Sequence, residues 1–597
     1  MGILDYIVIL LYFAGLVGVS LYMSRRIRSS EDMFIAGRNS SWWLSGVSSY
    51  MTIFSASTFV VWGGVAYKSG LVAVIVAICL GFSSLIVGKW IAGRWRALRI
   101  KSPGEYLTVR FGRRTLSFYT VAGIVGRGIH TAVALYAVAV VMCALIKVPE
   151  GSIFASTGLP GDSAPGCLCI WWALAFLGTI TLVYTVAGGF LAVLMTDVIQ
   201  FGVLLSVVIF MVPLSFHATG GVNAFLEKAG SIPGYFSGTS PTYTWIWLVL
   251  WMCLHVAMIG GDWPFVQRYI SVPTIKDAKK SSYLIGVLYI LTPLIWYLPA
   301  MIYRTLVPGP GMEADPAAMT RLGEGAYVNM SKTVLMGGML GMMLAAMLSA
   351  TLSNVSGTLN VYANVYTYEI WGRSRAGKGA SEKRRIRAGR IFTLVFGLVI
   401  LGIAMLVPLA GGAEKVVVTI LTMVLCPLYI PSIWGLFSKR LNGGRLIAAM
   451  LISWVLGFTA KFSIPPEVLS PSLIESISGF LVPVSVLAVM ELWCSARGII
   501  NEGYEALQLY KDPAAETEPG ARVKEATRKY SYLAVNCFCI TLGAIALLLA
   551  GMLIAGDPKT MAVKGIVLWF LTGICTFIAA YVVFRLIRRK HEDTSTD

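Results

Sequence analysis

The chain has 597 residues, of which 57% are hydrophobic and only 13% charged, and its mean hydropathy is +0.75. That composition excludes a soluble globular protein and describes a chain that crosses a membrane many times. The net charge of +19 does not point to nucleic acid, because the basic residues sit in short loops between apolar segments.

About fifteen segments reach the length that a bilayer core requires. In order they are residues 4–23, 42–66, 70–92, 116–146, 168–187, 191–216, 243–263, 283–306, 333–371, 391–409, 413–437, 446–462, 473–493, 532–554 and 562–584. The first lacks a basic leader and a clear cleavage site, so it reads as a retained helix. Segment 333–371 is too long for one straight span and is expected to tilt, kink or project. Alternate loops hold 36 of the 48 basic residues. By the positive-inside rule these loops face the cytoplasm, which puts the N-terminus outside a cell membrane and the C-terminus inside. Loop 496–532 is polar and mixed in charge and reads as a linker. Loops 147–167 and 308–330 are rich in Gly and Pro and read as lids. The ten cysteines show no metal-ligand spacing.

Two apolar segments are interrupted. The first breaks at Thr52-Ile53-Phe54-Ser55-Ala56-Ser57-Thr58, the other at Gly260-Gly261-Asp262-Trp263-Pro264. Paired weakened helices suggest an inverted repeat with a binding site near the membrane midplane. Asp197 lies in an otherwise uncharged run from Tyr184 to Phe216. A carboxylate inside a span costs roughly 2.5–3.5 kcal/mol on insertion scales, so a partner is expected. Arg127 and His130 stand one helical turn apart, and His255 lies in mid-span. In segment 333–371, Ser349, Ser353, Ser356 and Asn360 fall on one helical face, extended by Asn364 and Thr367. Thr351, Asn354 and Thr358 form a second polar edge. Two readings of this stripe stand: close packing through small residues, or a row of hard oxygen ligands for a dehydrated cation. No nucleophile elbow, phosphate loop or metal motif is present in the sequence, so an enzyme is not expected.

Several motifs carry a resemblance. They are Glu31-Asp32-Met33-Phe34-Ile35-Ala36-Gly37-Arg38, Ser55-Ala56-Ser57-Thr58-Phe59, and Ser102-Pro103-Gly104-Glu105-Tyr106-Leu107 followed by Arg110-Phe111-Gly112. To these are added Tyr184-Thr185-x-x-Gly188-Gly189-x-x-Ala192-Val193-x-x-Thr196-Asp197-x-x-Gln200 and Gln267-Arg268. In this order, over about residues 1–440, the chain resembles the sodium:solute symporter family, relatives of the sodium/glucose cotransporters with a LeuT-like fold. The resemblance implies an all-α polytopic protein with a 5+5 inverted-repeat core. An extra N-terminal helix (4–23) would precede repeats at 42–216 and 243–437, and peripheral helices (446–584) and a cytoplasmic tail (585–597) would follow. It implies sodium-coupled import of a small polar organic solute by alternating access. The main sodium (Na+) site would be formed by the carbonyls of Met51, Phe54 and Ala350 and the side-chain oxygens of Ser353 and Asn354. Asn354 stands where the family usually has a hydroxyl. A second sodium site would use Asp197 and Ser356, with Gly357 where a serine is often found. The solute would meet Thr58, His130, His255 and Tyr289. Met258 takes the place of an aromatic inner gate, and Ala77 and Tyr289 replace the sugar-gripping glutamate and lysine. Arg127 with His130 would suit an anionic group, so the expected partners are a sugar or carboxylate-bearing solute, sodium and the lipid bilayer, and no nucleic acid. A proton-coupled carrier, with Asp197, His130 or His255 titrating, and a transport-poor solute sensor are the alternatives.

Overall fold

The computed structural model describes residues 1–149, 151–159, 162–309, 315–410, 419–555 and 558–594. Among these the chain is helical, with isolated β-bridges only. Twelve helices concern the site: α1 (Ile3–Ser24), α2 (Trp42–Ile53), α3 (Ala56–Ser69), α4 (Val72–Trp90), α5 (Arg113–Leu145), α6 (Ile170–Thr219), α7 (Trp245–Gly261), α8 (Trp263–Ile270), α9 (Ile275–Leu291), α10 (Pro293–Leu306), α11 (Pro316–Val334) and α12 (Met339–Val365).

Among the described residues, 11 helices are long and apolar enough to cross a membrane, or up to 13 if each of two bent pairs is one span. The sequence expectation was about fifteen. One source of the difference is α6, whose 50 residues cover two expected segments. Its chain turns at Gly189, where φ is 59° and ψ −164°. A Cβ there would lie 2.8 Å from the carbonyl oxygen of Met33, so glycine is needed for both the conformation and the approach. The start of expected segment 413–437 and the end of tail 585–597 lie outside the described residues.

Burial separates centre from rim. The apolar window of the α12 span is 94% buried, whereas those of 521–555 and 564–587 are 22% and 11% buried. Helix α12 packs against α5, α6, α2 and α1. At its N-terminus the buried Asp5 carboxylate of α1 accepts N–H bonds from Gly338 (2.7 Å) and Gly341 (2.8 Å). A carboxylate there satisfies amides that the helix leaves unpaired and meets the positive end of its dipole. Lower down, Ser349 bonds Tyr12 of α1 at 2.6 Å.

Two expected loops are more structured than their composition suggests. Loop 308–330 contains most of α11, started by Asp315, whose side chain accepts from Ala318 N–H at 2.9 Å, and α11 packs on α3. Loop 496–532 is a docked strap. It carries the short helix Glu502–Leu509, and its Asp512 binds Arg96 (2.8 Å) and Arg38 (3.3 Å). Asn501 takes Arg110 at 2.7 Å. Its polar residues are not idle: they pair with the basic loops they cover.

Candidate functional site

Both interrupted segments are bent pairs, α2/α3 by 63° and α7/α8 by 53°. The first break has no Gly or Pro. It is made by a cap: Ser55 is the N-cap of α3 and forms a capping box with Thr58. The amides that would continue α2 are turned away. Ser55 N–H donates to Thr58 Oγ1 (3.4 Å) and Ala56 N–H to Thr351 Oγ1 on α12 (2.9 Å). The carbonyls of Met51 and Thr52 therefore lose their helical donors. The Ala56–Thr351 bond also holds the break against α12 beside Ala350, Ser353 and Asn354.

The second break has a different cause. Pro264 has no N–H for the helical bond back to Gly260, and Gly260 oxygen accepts from the Trp95 indole instead (2.8 Å). The backbone at Asp262 is extended (φ −70°, ψ 129°), and its carboxylate is buried.

On α12, Ser353 Oγ is buried and makes no direct hydrogen bond; it faces the Asp197 carboxylate, whose Oδ1 is likewise unpartnered. Asn354 Oδ1 accepts from Arg127 Nη2 at 3.3 Å, and Thr358 Oγ1 accepts from Arg127 Nε at 3.4 Å. Ser356 donates to the Ser353 carbonyl at 3.1 Å. Such an orphaned hydroxyl beside freed carbonyls is a set of hard oxygens of the kind sodium takes.

Beside this cluster lies a cavity of about 600 Å³, a size that suits a small organic ligand. All six residues expected to meet solute line it: Thr58, Arg127, His130, His255, Met258 and Tyr289. So do Asn354, Ala77 and, unexpectedly, Glu324 of α11. Trp62 and Trp251 form an aromatic wall, with ring centroids 5.4 Å apart. His255 Nδ1 contacts the Trp251 carbonyl at 2.8 Å, whereas His130 Nδ1 is buried without a partner.

Two ion pairs are fully buried here. Arg127 Nη1 lies 3.2 Å from Asp262 Oδ2, and Arg268 Nη2 lies 3.4 Å from Asp197 Oδ2. Ser48 adds a hydroxyl bond to the same Asp197 oxygen and receives Arg268 Nε at 2.8 Å. The Arg268 guanidinium occupies the space beside Gly357, 3.3 Å from where a Cβ would stand. Asp197 thus has the partner its burial demands.

A profile of the Sodium:solute symporter family matches residues 33–453, well over half of the chain. The chain belongs to that family. Among similar proteins, Sodium/myo-inositol cotransporter 2 of Sus scrofa is 25% identical over 498 residues, covering 76% of this chain and 69% of the relative. Sodium/sialic acid symporter NanT of Aliivibrio fischeri is 24% identical over 409 residues, covering 66% and 75%. The solved substrate-bound, outward-open Na+-coupled sialic acid symporter superposes with a TM-score of 0.64 at 19% identity, over 81% of this chain and 98% of that one. The protein is thus a sodium-coupled membrane symporter and not an enzyme, with sodium as its coupling ion.

In this symporter, sequence reasoning missed four groups. Arg268 was visible only as part of a motif, and Ser48 carried no signal at all. Asp262 was quoted as part of a helix break rather than as a charge, although a lone acid between two glycines and a tryptophan in an apolar segment is itself a signal. Glu324 lay in what read as a loop.

Proposed function

We propose that the symporter imports a neutral, polyhydroxylated solute, of the inositol or sugar type, together with sodium by alternating access. The observation that carries the solute class is the 3.2 Å pairing of Arg127 with Asp262. The one arginine among the expected solute residues already has its counter-ion, so an acid would have to compete with Asp262. The hydroxyl and aromatic lining of the cavity suits a neutral ring with several hydroxyls. Two relatives are named for sodium-coupled carriage of such oxygen-rich ring solutes, one neutral and one acidic.

The sodium ligands proposed are the carbonyls of Met51, Phe54 and Ala350, the Ser353 hydroxyl and the Asn354 amide oxygen. The orphaned Ser353 hydroxyl and the lost donors of α2 support this set. Asp197 spends Oδ2 on Arg268 and Ser48 and leaves Oδ1 unpartnered, and Ser356 donates to a backbone carbonyl; because the Arg268 guanidinium already neutralises the carboxylate, the reading here is of one sodium per cycle. Residues 42–216 and 243–437 are read as the two inverted repeats, each with its own bent pair, rocking about the cavity. The N-terminus is placed outside and the basic, strapped face in the cytoplasm of a cell membrane. One charge crossing about 100 mV gains roughly 2.3 kcal/mol and a tenfold sodium gradient about 1.4 kcal/mol. Together they sustain a solute ratio of roughly several hundred from one sodium.

Uptake into proteoliposomes with an imposed inward sodium gradient tests the reading. Labelled myo-inositol, sugars, sialic acid and simple carboxylates are compared, with and without sodium. Sodium-dependent uptake of a neutral polyol, with charge and sodium flux in a 1:1 ratio, is expected. Preference for an acid overturns the solute class, and proton-driven uptake without sodium dependence overturns the coupling.

A further inference from the structure

Asn354 belongs to two sites at once. It is adjacent in sequence to Ser353 on α12, it lines the solute cavity, and its oxygen accepts from Arg127 Nη2 at 3.3 Å. Arginine has only donors, so chemistry alone requires the amide to turn its oxygen, not its nitrogen, toward Arg127. A cation ligated by Asn354 requires that same oxygen. We propose that Asn354 is the coupling residue between ion and solute: sodium and Arg127 compete for its amide oxygen. When sodium takes the oxygen, Arg127 Nη2 is released to donate to a solute hydroxyl in the cavity.

The rest of the guanidinium is built to allow this. Nη1 stays on Asp262 (3.2 Å) and Nε on Thr358 (3.4 Å), so the side chain keeps its place and its charge stays compensated while one arm is exchanged. Only Nη2 changes partner. By reciprocity, solute that engages Nη2 frees Asn354 Oδ1 and tightens sodium by the same factor. The resemblance puts a hydroxyl side chain at this position in most relatives. A serine is shorter than asparagine, so the link in this structure depends on the amide of Asn354.

The inference rests on Asn354 being a sodium ligand, as proposed above, and its test needs no solute. Purified symporter is titrated with sodium chloride against choline chloride at constant ionic strength, reading intrinsic tryptophan fluorescence. Four proteins form a cycle: native, Asn354→Ser, the charge-balanced pair Arg127→Met with Asp262→Asn, and all three changes together. The pair removes the competing donor without leaving an unpaired buried charge. In the native background it is expected to lower half-saturating sodium by at least about threefold, and in the Asn354→Ser background to leave it unchanged, a coupling in the range of contacting residues. Equal shifts in both backgrounds, none in either, or a rise in half-saturating sodium in the native background overturn the proposal: plain repulsion between charges acts alike in both, and loss of a bond that merely packs α5 on α12 loosens the site rather than tightening sodium. If the pair variant does not fold, Arg127→Lys takes its place. It keeps the charge opposite Asp262 but lacks the fork that also reaches Asn354, and the same cycle applies. A native protein with no sodium-specific response overturns the sodium site itself and this inference with it, a result distinct from a normal response with no coupling.

Discussion

The two broken helices use one backbone device for two chemistries. The α2/α3 break is made by a serine cap and holds no charge: what it offers is carbonyl oxygen, freed because Ser55 and Ala56 send their amides to Thr58 and Thr351. The α7/α8 break is made by Gly260, Gly261 and Pro264 and holds a carboxylate, Asp262, paired across to Arg127. One turn and a half further on, Arg268 of the same α8 pairs with Asp197 of α6. The first break is thus bonded through a neutral amide–hydroxyl contact, the second through two buried ion pairs. A site that must bind and release a small cation is better built from neutral oxygens, whereas a helix that must hold its place against its neighbours can use charge.

The comparison breaks most visibly at Asp262. Asp262→Asn leaves the Arg127 guanidinium buried with no counter-ion, a loss of about 3–5 kcal/mol for pairs of this kind. A fall in thermal stability of the detergent-solubilised symporter is expected. Adding Arg127→Met to the same protein is expected to recover most of it, since a neutral pair leaves no stranded charge. If the single and double variants are equally stable, the second break is not held by charge. In the single variant, myo-inositol uptake is also expected to become sensitive to competition by acids, because the arginine is unmasked.

The first break responds on a different axis. Ser353→Ala removes a hydroxyl that makes no direct hydrogen bond and only faces the Asp197 carboxylate, which keeps Arg268 and Ser48, so the fold loses little. Sodium loses an interaction with a charged partner, of order 1.5–3 kcal/mol. Half-saturating sodium for uptake is expected to rise by roughly 10- to 100-fold, with the solute KM at saturating sodium little changed. An unchanged sodium dependence would return Ser353 to the small-residue packing that Ser349 performs against Tyr12.

The sequence made the skeleton of this contrast readable and hid its connections. Apolar length announced the helices, and the interruptions at Phe54-Ser55 and Asp262 were visible as polar or Gly/Pro-rich patches. The polar stripe on α12 was legible because helical periodicity puts Ser349, Ser353 and Ser356 on one face, but periodicity does not say which of them has a partner. Ser349 has Tyr12, Ser356 has its own backbone, and Ser353 makes no direct hydrogen bond but faces Asp197. Only packing distinguishes them. The partners of Arg127 and Asp197 are 135 and 71 residues away in the chain, so no local pattern couples them. The strap failed for another reason. Its composition is that of a linker, and its order comes from three arginines on two other loops, Arg38 on one and Arg96 and Arg110 on the other.

That strap supplies the smallest effect and shows whether depth of burial, rather than charge, makes the interior pairs matter. Asp512 is 11% exposed and faces the buried Arg96 and the half-buried Arg38, so this cluster keeps a contact with water that the interior pairs lack. Burial pushes its carboxyl up, but the two guanidiniums outweigh this and hold its pKa below the ordinary value of about 3.9. A carboxylate depressed in the folded state stabilises the contact above its unfolded pKa and loses that contribution as pH falls through the folded one. The strap is therefore expected to stay docked at neutral and mildly acidic pH and to release only below the ordinary aspartate range. Hydrogen exchange of residues 501–515 across a pH series would show this. Asp512→Asn is expected to raise exchange there already at neutral pH, with a change in overall stability within about 1 kcal/mol, as for other water-accessible pairs. If this variant instead unfolded the symporter as readily as Asp262→Asn, water access would not be what separates the two kinds of pair, and the contrast between a charged break and a neutral one would need another cause.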